Sequence, residues 1–175
     1  MKFIPSKIPD VIMIEPKVFQ DARGFFYESY NKKIFYENGI RSEFVQDNQS
    51  SSGKGILRGI HYQTAPRAQA KLVWVTKGVA FDVAVDLRER SKTFCQYVSE
   101  ILSADNKKMF YIPKGCAHGF QTLTDDCEVE YFMSQFYSPE HGAGVRWDDS
   151  LLKISWPIKN PILSKQDKKW PLLLK

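Results

Sequence analysis

The chain is poor in cysteine and has no long hydrophobic run. Its three cysteines, Cys95, Cys116 and Cys127, are widely spaced and form no Cys-x-x-Cys pair. An odd number of separated cysteines argues against a disulfide framework and favours reduced thiols in the cytoplasm. A membrane-spanning helix needs a run of about 18 apolar residues, and the sequence has none. Residues 1–6 lack the apolar core of a secretory signal. We therefore expect neither a membrane-spanning helix nor a secretory signal.

Basic residues are in modest excess and are scattered. There are 25 lysines and arginines against 20 aspartates and glutamates, and they cluster only in short pairs such as Lys168-Lys169 near the end of the chain. No nucleic-acid-binding motif accompanies it, and an anionic small substrate fits this charge at least as well as nucleic acid does. Because 43% of the residues are apolar and 26% are charged, we expect a folded chain. Its length predicts one domain over residues 1–175.

Short apolar segments separated by turn residues predict a β-protein. The predicted strands cover residues 11–14, 25–30, 56–63, 70–76, 79–86, 94–102, 108–112, 119–123 and 128–136. Turn signals recur about every ten residues, which is typical of a sandwich or barrel. Asn31 is suited to cap a short helix over residues 32–37, which Asn38-Gly39 would end. Residues 50–53 are predicted as a loop, and the proline-interrupted tail as irregular.

The segment 79–86 alternates between large apolar residues and small or acidic ones. Such alternation places Asp82 and Asp86 on the same face of the strand. That face is therefore polar and lies either in solvent or in a wet cavity, such as the mouth of a jelly-roll barrel.

Two histidine patterns point to such a barrel. The sequence Pro113-Lys114-Gly115-Cys116-Ala117-His118 follows a predicted strand and resembles the second metal-binding signature of the cupin barrels. In the first signature, a second histidine and a glutamate usually accompany a residue such as His61, but these positions hold Gln63 and Lys71 here. A lysine in place of a carboxylate argues against a metal. We predict an all-β, cupin-type jelly-roll barrel with a short N-terminal helix and an irregular C-terminal segment, whose interior serves acid–base chemistry.

His61 is the candidate base. Strand alternation places it on one face with Gln63 and puts Arg58 on the other, outside the barrel or at its rim. A nearby Lys71 ammonium would keep the imidazole neutral, and a carboxylate on the other ring nitrogen would orient it. Spacing leaves three candidates for that carboxylate, namely Asp82, Asp86 and Asp167.

Other residue types fit the same chemistry, although each also has an ordinary structural explanation. Lys71 would stabilise the enolate oxygen that forms when a proton is removed next to a ketone. Tyr131 could return a proton to the far face of that enolate. Tyr137 could stack on a base or sugar ring. Arg23 and Arg58 are candidate pyrophosphate clamps, because guanidinium groups pair well with phosphate oxygens.

The order of these motifs resembles one family, the dTDP-4-dehydrorhamnose 3,5-epimerases. The segments that carry the resemblance are residues 19–29, 44–48, 57–63, 81–88, 112–120, 137–141, 146–149 and 162–167. The resemblance implies a cupin jelly roll without metal or cofactor, and a homodimer that exchanges N-terminal strands. It also implies inversion at C3 and C5 of a dTDP-linked 4-keto-6-deoxy sugar.

The resemblance also assigns roles by position. The implied catalytic residues are His61 as base, Asp167 as its partner, Tyr131 as acid and Lys71 as the cation that holds the enolate oxygen. The implied substrate-binding residues are Arg23, Glu28, Gln46, Asp47, Asn48, Arg58, Gln63, His118 and Tyr137.

Two positions depart from the family pattern. Gly142 stands where many members carry a ligand-binding glutamate, and Gln166 stands where a lysine often precedes the dyad aspartate. An epimerase that inverts only C3, or one that acts on a sugar carried by another nucleotide, therefore stays open. Two other classes of protein were weighed. Lys71 argues against a metal-dependent cupin enzyme. The presence of all the implied catalytic residues argues against a non-catalytic sugar-nucleotide-binding protein.

Overall fold

The computed structural model describes residues 1–173, which form mostly β-strands. The elements are β1 (Lys2–Pro5), β2 (Ile12–Glu15), β3 (Val18–Asp21), β4 (Gly24–Tyr27), α1 (Lys32–Glu37), β5 (Gln46–Ser52), β6 (Ile56–Gln63), β7 (Lys71–Lys77), β8 (Val79–Asp86), β9 (Tyr97–Ser103), β10 (Met109–Ile112), β11 (Cys116–Thr122), β12 (Cys127–Met133), β13 (Gly142–Gly144) and β14 (Ile162–Leu163). A single 3₁₀ turn covers Pro139–His141 in this part of the chain. No helix within residues 1–173 is long and apolar enough to cross a membrane.

The strands form two large sheets and a hairpin. One sheet has the order β1-β2-β10-β7-β12-β5, the other has the order β13-β6-β11-β8-β9, and β3 pairs with β4 alone. Neighbouring strands are antiparallel except for β14, which runs parallel to β6. Side chains from both sheets meet in one buried cluster, to which Val73 and Phe110 contribute from the first sheet and Ala84 and Phe120 from the second. The predicted all-β jelly-roll architecture is confirmed.

The short helix has the predicted boundaries. The Asn31 side chain accepts hydrogen bonds from the backbone N–H groups of Lys33 and Ile34, which the first turn leaves without partners. Gly39, with a φ of 86°, takes the left-handed conformation that ends the helix. Phe35 is 1% exposed and anchors the helix to the first sheet through an aromatic cluster.

Several strand predictions need correction. Residues 28–30, 94–96 and 134–136 were predicted as strand ends, but they lie outside β4, β9 and β12. Residues 50–52 were expected in a loop, but they extend β5, where Ser52 pairs with Cys127. The strand predicted from residue 119 begins at Cys116, which pairs with Asp86 of β8. In both segments, hydrogen bonds to a neighbouring strand outweigh the weak strand preference of serine, glycine and alanine.

The alternation predicted for β8 is confirmed. Asp82 and Asp86 are both 0% exposed and lie on the inner face of this strand with Ala80 and Ala84. Val83 and Val85 pack on the opposite face, beneath the C-terminal segment. The polar face is therefore directed into the protein, where each carboxylate needs partners of its own.

Candidate active site

A cavity of about 1000 Å³ opens between the two sheets and collects most of the predicted site residues. Ten of them line it: Gln46, Asn48, Arg58, His61, Gln63, Lys71, His118, Tyr131, Tyr137 and Asp167. They come from five strands and from two irregular segments, so only the assembled barrel brings them together. Gly142 and Gln166, the two residues that depart from the family pattern, also line this cavity.

His61 and Asp167 form a dyad across 106 residues of sequence. His61 Nε2 contacts Asp167 Oδ1, and Oδ2 accepts a hydrogen bond of 2.7 Å from Ser164 Oγ. Asp167 is 3% exposed. Burial acts to raise the pKa of Asp167, but the hydrogen bonds from His61 and Ser164 outweigh it and hold the pKa below its usual value. The geometry therefore selects Asp167 from the three carboxylates that spacing left open.

The other two carboxylates have different partners. Asp82 lies 2.9 Å from His118 Nε2 through Oδ2, and both side chains are buried. Asp86 accepts hydrogen bonds from the Arg88 guanidinium and from the hydroxyls of Ser91 and Thr93. Asp86 is therefore part of a structural network, whereas Asp82 supports a second histidine at the cavity.

His118 lies beside the dyad in the same sheet. It is directly opposite His61 in the register of β11 and β6. Burial lowers the pKa of His118, and the attraction of Asp82 only partly offsets this effect. The side chain is therefore neutral around pH 7 and can serve as a hydrogen-bonding group without adding charge to the cavity.

Lys71 brings a buried amine to the cavity. Its side chain is 8% exposed, and Nζ lies 3.5 Å from the backbone oxygen of His61. Burial lowers the pKa of Lys71 to about 8, although Asp82 acts to raise it. No carboxylate within residues 1–173 forms a salt bridge with it, so its charge is available to an anion that enters the cavity.

Tyr131 and Arg58 complete the polar wall. Tyr131 lies on β12, and burial raises the pKa of its phenol, with Arg58 acting in the opposite direction. The Arg58 guanidinium donates to Ser52 Oγ over 3.1 and 3.2 Å. A partly buried phenol of raised pKa stays protonated at neutral pH and can donate a proton.

The strict alternation predicted for residues 58–63 is wrong. Arg58 and His61 both line the cavity, while Ile60 between them packs in the outer cluster. The register with β11 shifts between His118 and Phe120. At this irregularity Gly59 has a φ of 133° and touches the backbone of β11, which leaves no room for a side chain. Arg58 is at the exposed rim, which is one of the two positions expected for it.

Gln63 lines the cavity, but its amide is used by the backbone around it. It donates to Arg67 O over 2.7 Å and accepts from Ser138 N over 2.9 Å. Gln46 accepts from Tyr137 N over 2.9 Å in the same way. These two glutamines therefore fix the segment that presents Tyr137 to the cavity.

Three predicted binding residues do not line this cavity. Asp47 lies on the opposite face of β5 from Gln46 and Asn48, as strand alternation requires. Arg23 is in the turn of the β3–β4 hairpin, where its side chain is 90% exposed and pairs with Asp21. Glu28 follows the hairpin and accepts a hydrogen bond from Asn31.

Sequence reasoning missed Trp170, whose indole lies near the His61 ring with 5.8 Å between ring centroids. The available signal was its position three residues after Asp167.

Within residues 1–173, no three histidine, cysteine, aspartate or glutamate side chains are grouped as metal ligands would be.

Comparisons with known proteins identify the family to which the chain is similar. The family described as dTDP-4-dehydrorhamnose 3,5-epimerase matches residues 5–175. The epimerase of that name from Shigella flexneri is 52% identical over 168 residues, which cover 95% of this chain and 93% of the relative.

Solved structures give the same result. The dTDP-4-dehydrorhamnose 3,5-epimerase of Bacillus anthracis, with TDP and pyrophosphate bound, has a TM-score of 0.96 at 48% identity and covers 98% of this chain and 99% of its own. The dTDP-6-deoxy-D-glucose-3,5-epimerase of Legionella pneumophila, in complex with dTDP-4-keto-L-rhamnose, has a TM-score of 0.94 at 46% identity and covers 98% and 92%. The cupin-type fold expected from the histidine patterns is confirmed, and the chain belongs to the dTDP-4-dehydrorhamnose 3,5-epimerase family of isomerases.

Proposed function

We propose that the protein inverts C3 and C5 of dTDP-4-keto-6-deoxyglucose to give dTDP-4-keto-rhamnose, and that it needs neither cofactor nor metal. The observation that carries the proposal is the arrangement of the His61–Asp167 dyad, the buried Lys71 and Tyr131 around one cavity. The 4-ketone of such a substrate acidifies the hydrogens on both neighbouring carbons. Acid–base groups alone are therefore sufficient for each inversion.

His61 acts as the base. Its Nε2–H is donated to Asp167, which leaves the lone pair on Nδ1 to take the proton from carbon. Asp167 holds the imidazole in this tautomer and stabilises the imidazolium that forms. The electrons move onto the ketone oxygen, where the Lys71 ammonium offsets the negative charge.

Tyr131 returns a proton to the opposite face of the enolate. Because burial raises its pKa, the phenol holds its proton at neutral pH until the carbanion needs it. Deprotonation on one face and reprotonation on the other invert the carbon. The same pair then serves the second carbon after the sugar has turned in the cavity.

The nucleotide is held toward the rim. Arg58 is exposed there and offers a guanidinium to the pyrophosphate, while Asn48 offers its amide nitrogen and Gln46 holds the Tyr137 segment and the Asn48 side chain in place. Tyr137 is 68% exposed, as a ring that stacks on a thymine must be before the ligand arrives. His118 is a neutral donor or acceptor for the sugar.

We also propose a homodimer, formed through the β3–β4 hairpin. Phe19, Phe25 and Phe26 on this hairpin are 53%, 59% and 70% exposed, which is unusual for three neighbouring aromatic side chains. Arg23 and Glu28 lie in the same region, away from their own cavity. Exchange of this hairpin would cover the aromatic rings and deliver both charged residues to the partner's substrate.

We also propose that the protein needs no metal and works in a reducing compartment. Lys71 occupies the place of a metal-binding carboxylate, and a cation there repels a metal ion. Cys95, Cys116 and Cys127 are free thiols, which fits the cytoplasm.

Product analysis tests the proposal. The purified protein is incubated with dTDP-4-keto-6-deoxyglucose and, separately, with the UDP-linked sugar, and the configuration at C3 and C5 is read by NMR. Inversion at both carbons of the dTDP sugar is expected. Inversion at C3 alone would make the protein a 3-epimerase. Preference for the UDP sugar would show that its substrate carries another nucleotide. Binding without turnover would make it a non-catalytic binding protein. Full activity after exhaustive chelation is expected, and its loss would revive the metal-dependent alternative.

A further inference from the structure

Trp170 occupies a space next to the dyad. Its ring lies 5.8 Å from the His61 ring at an interplanar angle of 60° and lines the cavity. The indole sits over Gly144, which is opposite His61 in the register of β13 and β6. A methyl group on Gly144 would overlap the indole. Because Gly144 has no side chain, there is room for the Trp170 indole beside His61.

The backbone on both sides of Trp170 is tied down. Before it, Lys169 N donates to Gln166 O over 2.9 Å. After it, Arg146 N donates to Pro171 O over 3.0 Å. Leu173 N then donates to Asp149 Oδ2 over 2.6 Å. The indole is therefore held in place, although it belongs to an irregular C-terminal segment.

The indole nitrogen is directed to the dyad. Trp170 Nε1 is buried and forms no hydrogen bond with residues 1–173, yet it adds to the interactions that lower the pKa of Asp167. Its N–H is thus close enough to the carboxylate for attraction but outside hydrogen-bond geometry. A buried donor without a partner is unfavourable for folding, which indicates that its place beside Asp167 has another use.

We propose that Trp170 is a positioning residue for the His61–Asp167 dyad, whose ring keeps the imidazole aligned with the carboxylate and excludes water from it. The inference rests on the roles proposed above for His61 and Asp167. Losing the ring would let the imidazole move and let water reach the carboxylate. Because a displacement of about 1 Å can cost on the order of 100-fold in rate, the effect should appear in kcat rather than in KM.

Three variants test this role, namely Trp170→Ala, Trp170→Phe and Leu173→Ala. The first removes the ring, and the second keeps an aromatic ring but removes the N–H. The third weakens the packing of the same segment in the outer cluster without touching the dyad. Each is measured for kcat, KM, thermal unfolding and the pH dependence of kcat/KM with the dTDP-linked 4-keto sugar.

The expected result is a fall in kcat of about 10- to 100-fold for Trp170→Ala with little change in KM, and substantial rescue by phenylalanine. Both Trp170 variants should also move the low-pH limb of kcat/KM to higher pH, because the carboxylate loses a group that favours its charged form. Leu173→Ala should keep kcat near wild type.

Two results would overturn the proposal. An equal loss of kcat in Leu173→Ala would assign the effect to general anchoring of the segment. A raised KM with unchanged kcat in Trp170→Ala would make Trp170 a substrate contact only. Failure of the proposed function itself would be seen separately, as His61→Ala with wild-type kcat.

Discussion

His61 and His118 lie directly opposite each other on β6 and β11, yet their imidazoles contact different carboxylates. Asp167 reaches His61 from the irregular C-terminal segment, whereas Asp82 reaches His118 from the neighbouring strand β8. One sheet thus carries two histidine–carboxylate pairs side by side. The His61 side chain is 39% exposed and open to a ligand, whereas the His118 side chain reaches the cavity with only 6% exposure. This difference supports the proposal that His61, rather than His118, takes the proton from the substrate.

Asp167→Asn should lower kcat strongly while the protein stays folded. The asparagine keeps the shape but can present an N–H to His61 and reverse its tautomer, which in other histidine–carboxylate pairs costs about 10⁴-fold. Steady-state kinetics measure the loss. Ser164→Ala is the matched variant, because it leaves the His61 contact in place and removes the hydrogen bonds of Ser164 Oγ with the Asp167 carboxylate and backbone N–H. Its loss of kcat should be much smaller. Equal kcat in Asp167→Asn and wild type would contradict the dyad.

Asp82→Asn should change the pH dependence of turnover. Asp82 acts to raise the pKa of Lys71, which burial lowers to about 8. Without the carboxylate, the pKa of Lys71 falls further, and the ammonium that stabilises the enolate is lost at a lower pH. The high-pH limb of kcat, measured between about pH 6 and pH 9, should therefore move toward neutral pH.

The control for Asp82→Asn is Glu100→Gln. Glu100 lies opposite Asp82 on β9 but pairs with Lys108 at the surface. Its substitution should leave the profile unchanged. A high-pH limb that does not move in Asp82→Asn would show that Lys71 is not the titrating group.

Tyr131→Phe should separate hydrogen exchange from inversion. The base can still remove a proton and return one to the same face, but the acid on the far face is missing. In D₂O, substrate should gain deuterium with retained configuration, while epimerisation falls by about 10²- to 10⁴-fold. NMR of the recovered sugar distinguishes the two. Loss of exchange together with inversion would indicate that Tyr131 has another role.

Asp86→Asn should affect stability rather than catalysis. The carboxylate is 0% exposed and is bound by Arg88, Ser91 and Thr93. Removing one member of such a buried pair costs about 3–5 kcal/mol of unfolding free energy. These hydrogen bonds hold the pKa of Asp86 far below its usual value against the effect of burial. Its stabilisation is therefore complete above the unfolded pKa of about 3.9 and is lost as the pH falls below it.

Urea unfolding at neutral and acidic pH measures this difference. The gap between Asp86→Asn and wild type should narrow as the pH falls below about 4. The kcat of the folded variant should stay near that of wild type. A pH-independent gap would contradict the account of Asp86.

The sequence predicts the strands that build the cavity better than the contacts inside it. The boundaries of β6 and β8 are as predicted, because both strands have clear apolar patterns and turn residues at their ends. The side on which Arg58 lies was not predictable from alternation, since the irregularity at Gly59 depends on close contact with β11. The choice of Asp167 over Asp82 and Asp86 also requires the fold, because spacing carries no information about contacts across 106 residues.

Resemblance to a family supplied what local reasoning could not, namely Asp167 as the partner of His61. It did not supply Trp170, which lies outside the motifs that carry the resemblance. The role proposed for Trp170 depends on the space that Gly144 leaves for its indole. It also assigned Arg23 and Glu28 to the substrate, although both lie away from the cavity of their own chain. The proposed exchange of the β3–β4 hairpin would bring both residues to the cavity of a partner chain.

The central claim is that His61 removes the protons on both sides of the ketone. It is tested most directly by incubating wild-type protein and His61→Ala with dTDP-4-keto-6-deoxyglucose in D₂O and following C3 and C5 by NMR. The account predicts deuterium at both carbons with wild-type protein and at neither carbon with a folded His61→Ala variant. Exchange at both carbons in the variant at the wild-type rate would contradict it.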